Sequence, residues 1–363
     1  MILIRRAGLL GATLALAWLA GCGGNGSGGS SSGRNAYVAV PQGNAIAAFR
    51  VNTNSGNLTR VLGSPFGGGT SPAAIAVHPS GKFVYAVNQG GNDVSLFTIN
   101  SNTGELNEVM PRTAAGLNPS SLVMDSGGDL LFVANKTSNT ISVYSVSSSA
   151  GTLTEVAGSP FPTGARPVAL ALSPSGKFLY VASGNLPLVF GYSVAAGTGS
   201  LVAVPNSPFS VGNGPSSLVV EPSEHFLYVT NFGDNTVSGL SIDSGSGTLT
   251  AALDSPFTAG TGPISVTASG KTLYVTNLGS SNVSVYSIDS TTGATTQLDK
   301  SPFSAGSGPV SATIDPAGTF LYVCNQTSKN ITKFQINPDG GGLPSSVVAA
   351  TINVAPANIA FAK

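Results

Sequence analysis

LYVTN occupies residues 227–231, and the same five letters return at 273–277. Near variants stand at AYVAV (36–40), VYAVN (84–88), LFVAN (131–135), LYVAS (179–183) and LYVCN (321–325), which makes seven copies. Their aromatic residues are Tyr37, Tyr85, Phe132, Tyr180, Tyr228, Tyr274 and Tyr322, at successive gaps of 48, 47, 48, 48, 46 and 48 residues. Self-similarity at a fixed period of this size belongs to a repeat architecture, in which each copy is one supersecondary unit that cannot bury its apolar face alone.

Aligning the copies on the aromatic residue makes the unit legible. In residues 72–111, PAAIAVHP reads as strand a, PSGK as a turn, FVYAVN as strand b and QGGND as a loop. VSLFTI then reads as strand c, NSNTG as a turn and ELNEVMP as strand d. The order recurs at 119–158, 167–206, 215–254 and 263–300. Each run is short, rich in Val, Ile, Leu, Tyr and Phe, and bounded by Gly, Pro, Asn, Asp or Ser. Four antiparallel strands at this period make a propeller blade. Strand b is apolar at nearly every position, as suits a strand covered on both faces by neighbouring blades. Strand a carries small residues (Ala73, Ala74, Ser120, Ser121, Ala169, Ser216, Ser217), which places it innermost, where strands crowd the axis. The first unit opens at strand b, Asn35–Val40, and the chain finishes with a lone strand-a pattern, PANIAFAK (356–363). The expected fold is therefore all-β: a seven-bladed β-propeller of four-stranded antiparallel blades over 35–363, its C-terminal strand closing blade 1. Closure removes free sheet edges. The recurring SPF after strand d (64–66, 159–161, 207–209, 255–257, 301–303) reads as structural, with Pro ending the strand and Phe packing between blades.

Composition agrees. Only 8% of the 363 residues are charged, Gly (47) and Pro (23) are abundant, and the formal charge is zero, with no basic stripe for nucleic acid. The N-terminus reads as a separate segment. Arg5 and Arg6 precede an apolar run that ends in Leu19-Ala20-Gly21-Cys22. This order marks a secretory signal over 1–21, and the Cys after small residues resembles the bacterial lipobox, which implies lipid on Cys22. Removing 1–21 leaves 13 basic and 15 acidic side chains. Residues 22–34, from the lipidated Cys through GGNGSGGSSSG, read as a flexible tether. The expectation is an exported, membrane-anchored monomer of the envelope, at the outer membrane or cell surface. Cys324, the other Cys, lies inside LYVCN and reads as a small buried residue.

Topology sorts the loops. The a–b and c–d turns share one end of each blade; the b–c and d–a loops share the other and surround the channel mouth. His78 aligns with Asp125, Ser173, Glu221, Thr267 and Asp315 at the a–b turn, and His225 closes the same turn in its blade, so both lie at the wrong end for a histidine general base. No P-loop, G-x-S-x-G or H-E-x-x-H motif is present, and no metal or cofactor is called for. The c–d turns lack the spacing of a calcium loop. The b–c loops often start and end with Asn (Asn88 and Asn92, Asn135 and Asn139, Asn231 and Asn235), a pattern that repetition assigns to turn geometry. Departures from the repeat are the better ligand candidates. Arg166 stands where other units have Ser71, Asn118, Gly214, Gly262 and Gly308. Lys136, Asp93, Asp234 and Lys329 lie in b–c loops, and SGNLP (183–187) replaces the Asn-rich loop in blade 4. An Arg among glycines at a channel mouth suits a carboxylate or phosphate.

The seven units resemble the YVTN-repeat β-propellers. The wording PSGKFLYV (174–181) resembles the propeller-type lactonase family, whose members include 6-phosphogluconolactonases and muconate-lactonising enzymes. The resemblance implies a lactonase acting on a sugar or phosphosugar lactone. Members commonly open an inner strand with Pro-His-x-His. Here the openings read SPAAI, NPSSL, RPVAL, GPSSL, GPISV and GPVSA, without His. The family's acid/base set also uses Arg and Glu, and of these Arg166 alone is suitably placed. Two readings stand: a non-catalytic envelope propeller that binds a protein or carbohydrate partner, favoured by the uncharged mouth, and a lactonase, favoured by the resemblance.

Overall fold

Tyr37, Tyr85, Tyr180, Tyr228, Tyr274 and Tyr322 have no exposed surface, yet each carries a hydroxyl that burial would orphan. In the computed structural model, which describes residues 34–362, each hydroxyl crosses to the next blade. There it donates to the glycine carbonyl of the c–d turn: Gly104, Gly151, Gly247, Gly293, Gly341 and Gly56 respectively, at 2.6–3.2 Å. The repeated aromatic is thus a clasp between blades, and the last clasp joins blade 7 back to blade 1. Burial pushes the Tyr274 hydroxyl up to about 12, so these groups stay protonated donors.

Seven antiparallel sheets surround the axis. All seven b strands are buried along their whole length, from Asn35–Val40 to Phe320–Asn325. Each apolar cluster spans two blades, as where Tyr180 and Val189 of blade 4 meet Leu218, Leu227 and Leu240 of blade 5. The a strands are innermost, and their small residues also knit neighbours together. Ser121 accepts the Leu170 N–H, Ser217 the Val266 N–H and Ser265 the Ala312 N–H, each at 3.3 Å. Asn358–Phe361 pairs antiparallel with Asn35–Val40, in register Ala36 with Phe361 and Ala39 with Asn358, and so closes blade 1.

The outer strand differs in detail from its reading. In five blades Pro interrupts strand d instead of ending it. A second segment such as Phe66–Gly67 or Phe257–Thr258 resumes pairing with strand c. The missing proline N–H explains the break. The serine of SPF, which no pattern singled out, accepts a strand-c N–H at 2.8–3.0 Å and fills it. Phe161, Phe257 and Phe303 pack against clusters shared between blades, as expected. In blade 6, Thr267 is mid-strand opposite Tyr274, not at the turn, because that hairpin is shorter. Cys324 is fully buried, and burial pushes its thiol up to about 12. The signal segment 1–21, Cys22 and residues 23–33 of the tether lie outside the described residues.

Phe132 is the one aromatic of the seven without a hydroxyl, so Gly199 in blade 4 lacks the clasp that the other blades have. Phe132→Tyr should supply it and stabilise the protein by about 1 kcal/mol, a rise of about 1–2 °C in Tm for a chain this long. The reverse change, Tyr228→Phe, leaves the Gly293 carbonyl without its donor and should cost about 1–2 kcal/mol. Thermal melts of both variants check the clasp; an unchanged Tm in both would remove it from the stability account.

Candidate active site at the channel mouth

Six of the seven blades meet the mouth through a left-handed residue just before the strand-a proline. Ser71, Asn118, Arg166, Gly214, Gly262 and Gly308 all have φ between 54° and 67°. This conformation costs a residue with a Cβ on the order of 1 kcal/mol, and three blades avoid the cost with glycine. At Arg166 a long cationic side chain is carried there instead. The backbone is held from both sides. Asn139 Oδ1 accepts the Arg166 N–H at 2.7 Å, and the Arg166 carbonyl accepts the Gly184 N–H at 2.8 Å. The guanidinium donates to Asn185 Oδ1 at 3.2 Å. Gly184, part of the blade 4 departure, keeps this corner open, because a Cβ there would meet Val168 Cγ1 at 2.6 Å.

Lys136 occupies the equivalent of Gly184 in blade 3, its N–H bonded to the Asn118 carbonyl at 3.0 Å. Arg166 and Lys136, with Asn118, Thr137, Asn139 and Asn185, line a cavity of about 290 Å³. Lys136 is half-buried. Burial first, and the Arg166 charge second, hold its ammonium below the usual lysine range. Two ion pairs exist among the described residues, Arg34 with Asp315 and Arg112 with Glu108, and neither cation of the pocket takes part in one. Two like charges therefore converge on one small space lined otherwise by amides and a hydroxyl. Such a site attracts an anion that can accept several hydrogen bonds.

The other candidates lie apart. Asp93 in blade 2 accepts from Asn88 Nδ2 at 2.6 Å, within a chain that runs through Ser95 to Glu108 and Arg112. Asp234 in blade 5 is exposed and caps Asn213, whose backbone and side-chain N–H groups hold its carboxyl below the usual range. Lys329 in blade 7 is exposed and away from the pocket. The strand-b asparagines spend their amides inside their own blades: Asn135 on Thr140 and Ser142, Asn231 on Thr236 and Ser238, Asn277 on Asn282 and Ser284. All three are fully buried, although Asn231 Oδ1 and Asn277 Oδ1 find no partner inside their blades. Asn139 keeps the turn role of the repeat and Asn185 belongs to the blade 4 departure, and both line the pocket beside Arg166. His78 is buried at the far end between Ser80 and the Gly128 carbonyl, and His225 lies against Ser223 there. Among the described residues no group of three His, Cys, Asp or Glu is placed to hold a metal.

Comparison with known proteins adds context. Residues 30–169 and 162–356 match the family model described as lactonase, 7-bladed β-propeller. A candidate 6-phosphogluconolactonase of Bacteroides uniformis superposes with a TM-score of 0.77 at 21% identity, over 91% of this chain and 100% of that one. A similar candidate from Bacteroides fragilis gives 0.75 at 22% identity, over 92% and 99%. The periplasmic gluconolactonase of Pseudomonas aeruginosa gives 0.75 at 20%, over 91% and 99%. At these identities the likeness speaks for the fold. No curated protein matches the chain.

Proposed function

Because the chain belongs to the lactonase family of seven-bladed β-propellers, we propose that it hydrolyses a lactone bearing an anionic group, bound at the Arg166–Lys136 pocket. The observation that carries this reading is the convergence of two cations, neither with a carboxylate partner, in one cavity at the mouth. The inner strands lack His, so proton transfer must come from elsewhere. Lys136 is the one group in the pocket that can exchange a proton, with its ammonium held below the usual lysine range, since Arg stays charged. In this scheme Arg166 and the Asn185 amide hold the anion. The Lys136 amine takes a proton as water adds to the lactone carbonyl, and the ring C–O bond then breaks. The Lys136 ammonium returns the proton to the departing alkoxide, leaving a hydroxy acid. The test is proton release by pH-stat across a panel of neutral and anionic lactones. The expected result is turnover of anionic members, with KM raised about 10- to 150-fold in Arg166→Ala by loss of a charge-assisted contact. An anion that binds while no lactone turns over would make the protein the non-catalytic binding module instead.

A further inference from the structure

The six residues that line the pocket do not share it equally. Arg166, Thr137, Asn139 and Asn185 are exposed, whereas Asn118 and Lys136 are half-buried and form its more shielded side. The backbones of these two are joined, the Lys136 N–H on the Asn118 carbonyl. The rest of Asn118 is fixed as well. Its N–H donates to Asn92 Oδ1 at 2.7 Å, and its side-chain Oδ1 accepts Gln89 Nε2 at 2.7 Å. With both backbone groups and Oδ1 engaged, the side-chain nitrogen is the group left over. Nδ2 donates to nothing among the described residues, yet it is not one of the buried polar atoms without a partner, so it opens onto free space. The free space that Asn118 lines is the cavity. Gln89 comes from blade 2, where it holds the position that Lys136 holds in blade 3, and its own N–H is tied to the Ser71 carbonyl at 2.9 Å. The residue equivalent to Asn118 is Ser71, Arg166 or glycine in five other blades, so an aimed amide is peculiar to this pocket.

We propose that Asn118 is a catalytic residue of this pocket, its Nδ2–H donating to the oxyanion that forms when water adds to the lactone carbonyl, and that Gln89 is the positioning residue that keeps the amide turned that way. The proposal rests on the lactonase reading given above. As Lys136 takes a proton from water, the water oxygen bonds the carbonyl carbon and the carbonyl π pair moves onto its oxygen. When the ring C–O bond breaks, that pair returns, the carbonyl re-forms, and the leaving alkoxide takes the proton from Lys136. The negative charge on the oxygen therefore exists only between the two steps. A donor fixed beforehand and shielded from bulk water stabilises it without reorganisation. An amide free to rotate would present Nδ2 or Oδ1 with little preference, and Oδ1 repels an oxyanion. The bond from Gln89 Nε2 decides this, because an N–H donor pairs with Oδ1 alone. Arg166, exposed beside them, is left to hold the anionic group of the ligand.

The experiment is steady-state kinetics of the full-length chain on the anionic lactone that turns over fastest in the pH-stat panel. Asn118→Gly is the truncation that spares the backbone, since three blades carry glycine at this left-handed position. It should lower kcat about 10²- to 10³-fold, as loss of one oxyanion donor does. KM should stay nearly unchanged, because the contact is made only in the transition state. Gln89→Met removes the fixing bond and should lower kcat about 2- to 10-fold. Gln89→Glu puts an acceptor where the donor stood, so it draws Nδ2 to itself, turns Oδ1 towards the cavity, and should cost as much as Asn118→Gly. Added to Asn118→Gly, it should cost nothing more, whereas a plain charge effect on Lys136 would persist there. Unchanged kcat in Asn118→Gly, or a raised KM with kcat kept, overturns the proposal and leaves the lactonase reading standing. An equal loss from Gln89→Glu in both backgrounds overturns the positioning role. A parent protein that turns over no lactone overturns the proposal together with that reading.

Discussion

Deleting residues 356–363 should abolish cooperative folding or lower Tm by more than about 10 °C, because it opens the ring. The deleted strand is small, but it touches three blades. It pairs with Ala36–Ala39 of blade 1, and the flanking Ala357 and Ala362 N–H groups bond the Ala39 and Asn35 carbonyls. Asn358 accepts the Ile75 N–H of blade 2 and donates to Ser311 of blade 7, each at 3.2 Å. Thr313 of blade 7 donates to the Ile359 carbonyl at 3.0 Å. Ile359 is buried, and the Phe361 ring stands 4.9 Å from that of Tyr322. Two large apolar side chains at about 2–3 kcal/mol each and several hydrogen bonds at about 1 kcal/mol each sum to the order of 8 kcal/mol. A whole domain has about 5–15 kcal/mol to lose. The loss also bares one edge of Asn35–Val40, a strand with no charged residue to discourage pairing with other chains. Calorimetry and a sedimentation profile of the truncated protein check both consequences. A truncated chain that melts like the parent would remove closure from the account of stability.

The architecture was legible because each copy of the repeat solves the same physical problem. A strand buried on both faces must be apolar throughout, an axis crowded by seven strands must be lined with small residues, and a chain that starts at strand b must end at strand a. What the letters did not disclose is what depends on atoms meeting across blades. The tyrosine of LYVTN reads as core from its neighbours, while its hydroxyl has a partner 65–67 residues ahead in five of six cases, beyond any local pattern. The serine of SPF looks like a turn residue until its strand-c partner is seen. The site was half legible for a related reason. Repetition marks what the fold needs, so departures at Arg166, Lys136 and SGNLP stood out, and the structure brings these three together. Asp93, Asp234 and Lys329 also departed from uncharged loops, but each serves or decorates its own blade. Sequence registers a departure without saying which blade lies beside which side chain, and only blades 3 and 4 point theirs into one cavity.

Lys136→Met should lower kcat/KM for an anionic lactone by about 10²- to 10⁴-fold, the usual worth of a positioned general base. The pH dependence separates this role from simple attraction of the anion. The amine, not the ammonium, accepts the proton, so kcat/KM should rise with pH as Lys136 deprotonates and then level off. Burial and Arg166 place that limb below the ordinary lysine value of 10.5. A bound anion opposes the Arg166 charge and favours the ammonium, so the limb in kcat, which reports the complex, should lie at higher pH than the limb in kcat/KM. Arg166→Ala removes the like charge and should move the limb in kcat/KM upward too, in addition to raising KM. Arg166→Lys keeps a charge and should hold the limb near its place while losing the planar fork that suits a carboxylate. A residue that only attracted the anion would behave otherwise: binding would weaken as the ammonium was lost, and the rate would fall with rising pH. A kcat/KM profile that descends through the alkaline range, or one that stays put in Arg166→Ala, therefore assigns Lys136 to binding and leaves the proton transfer to water.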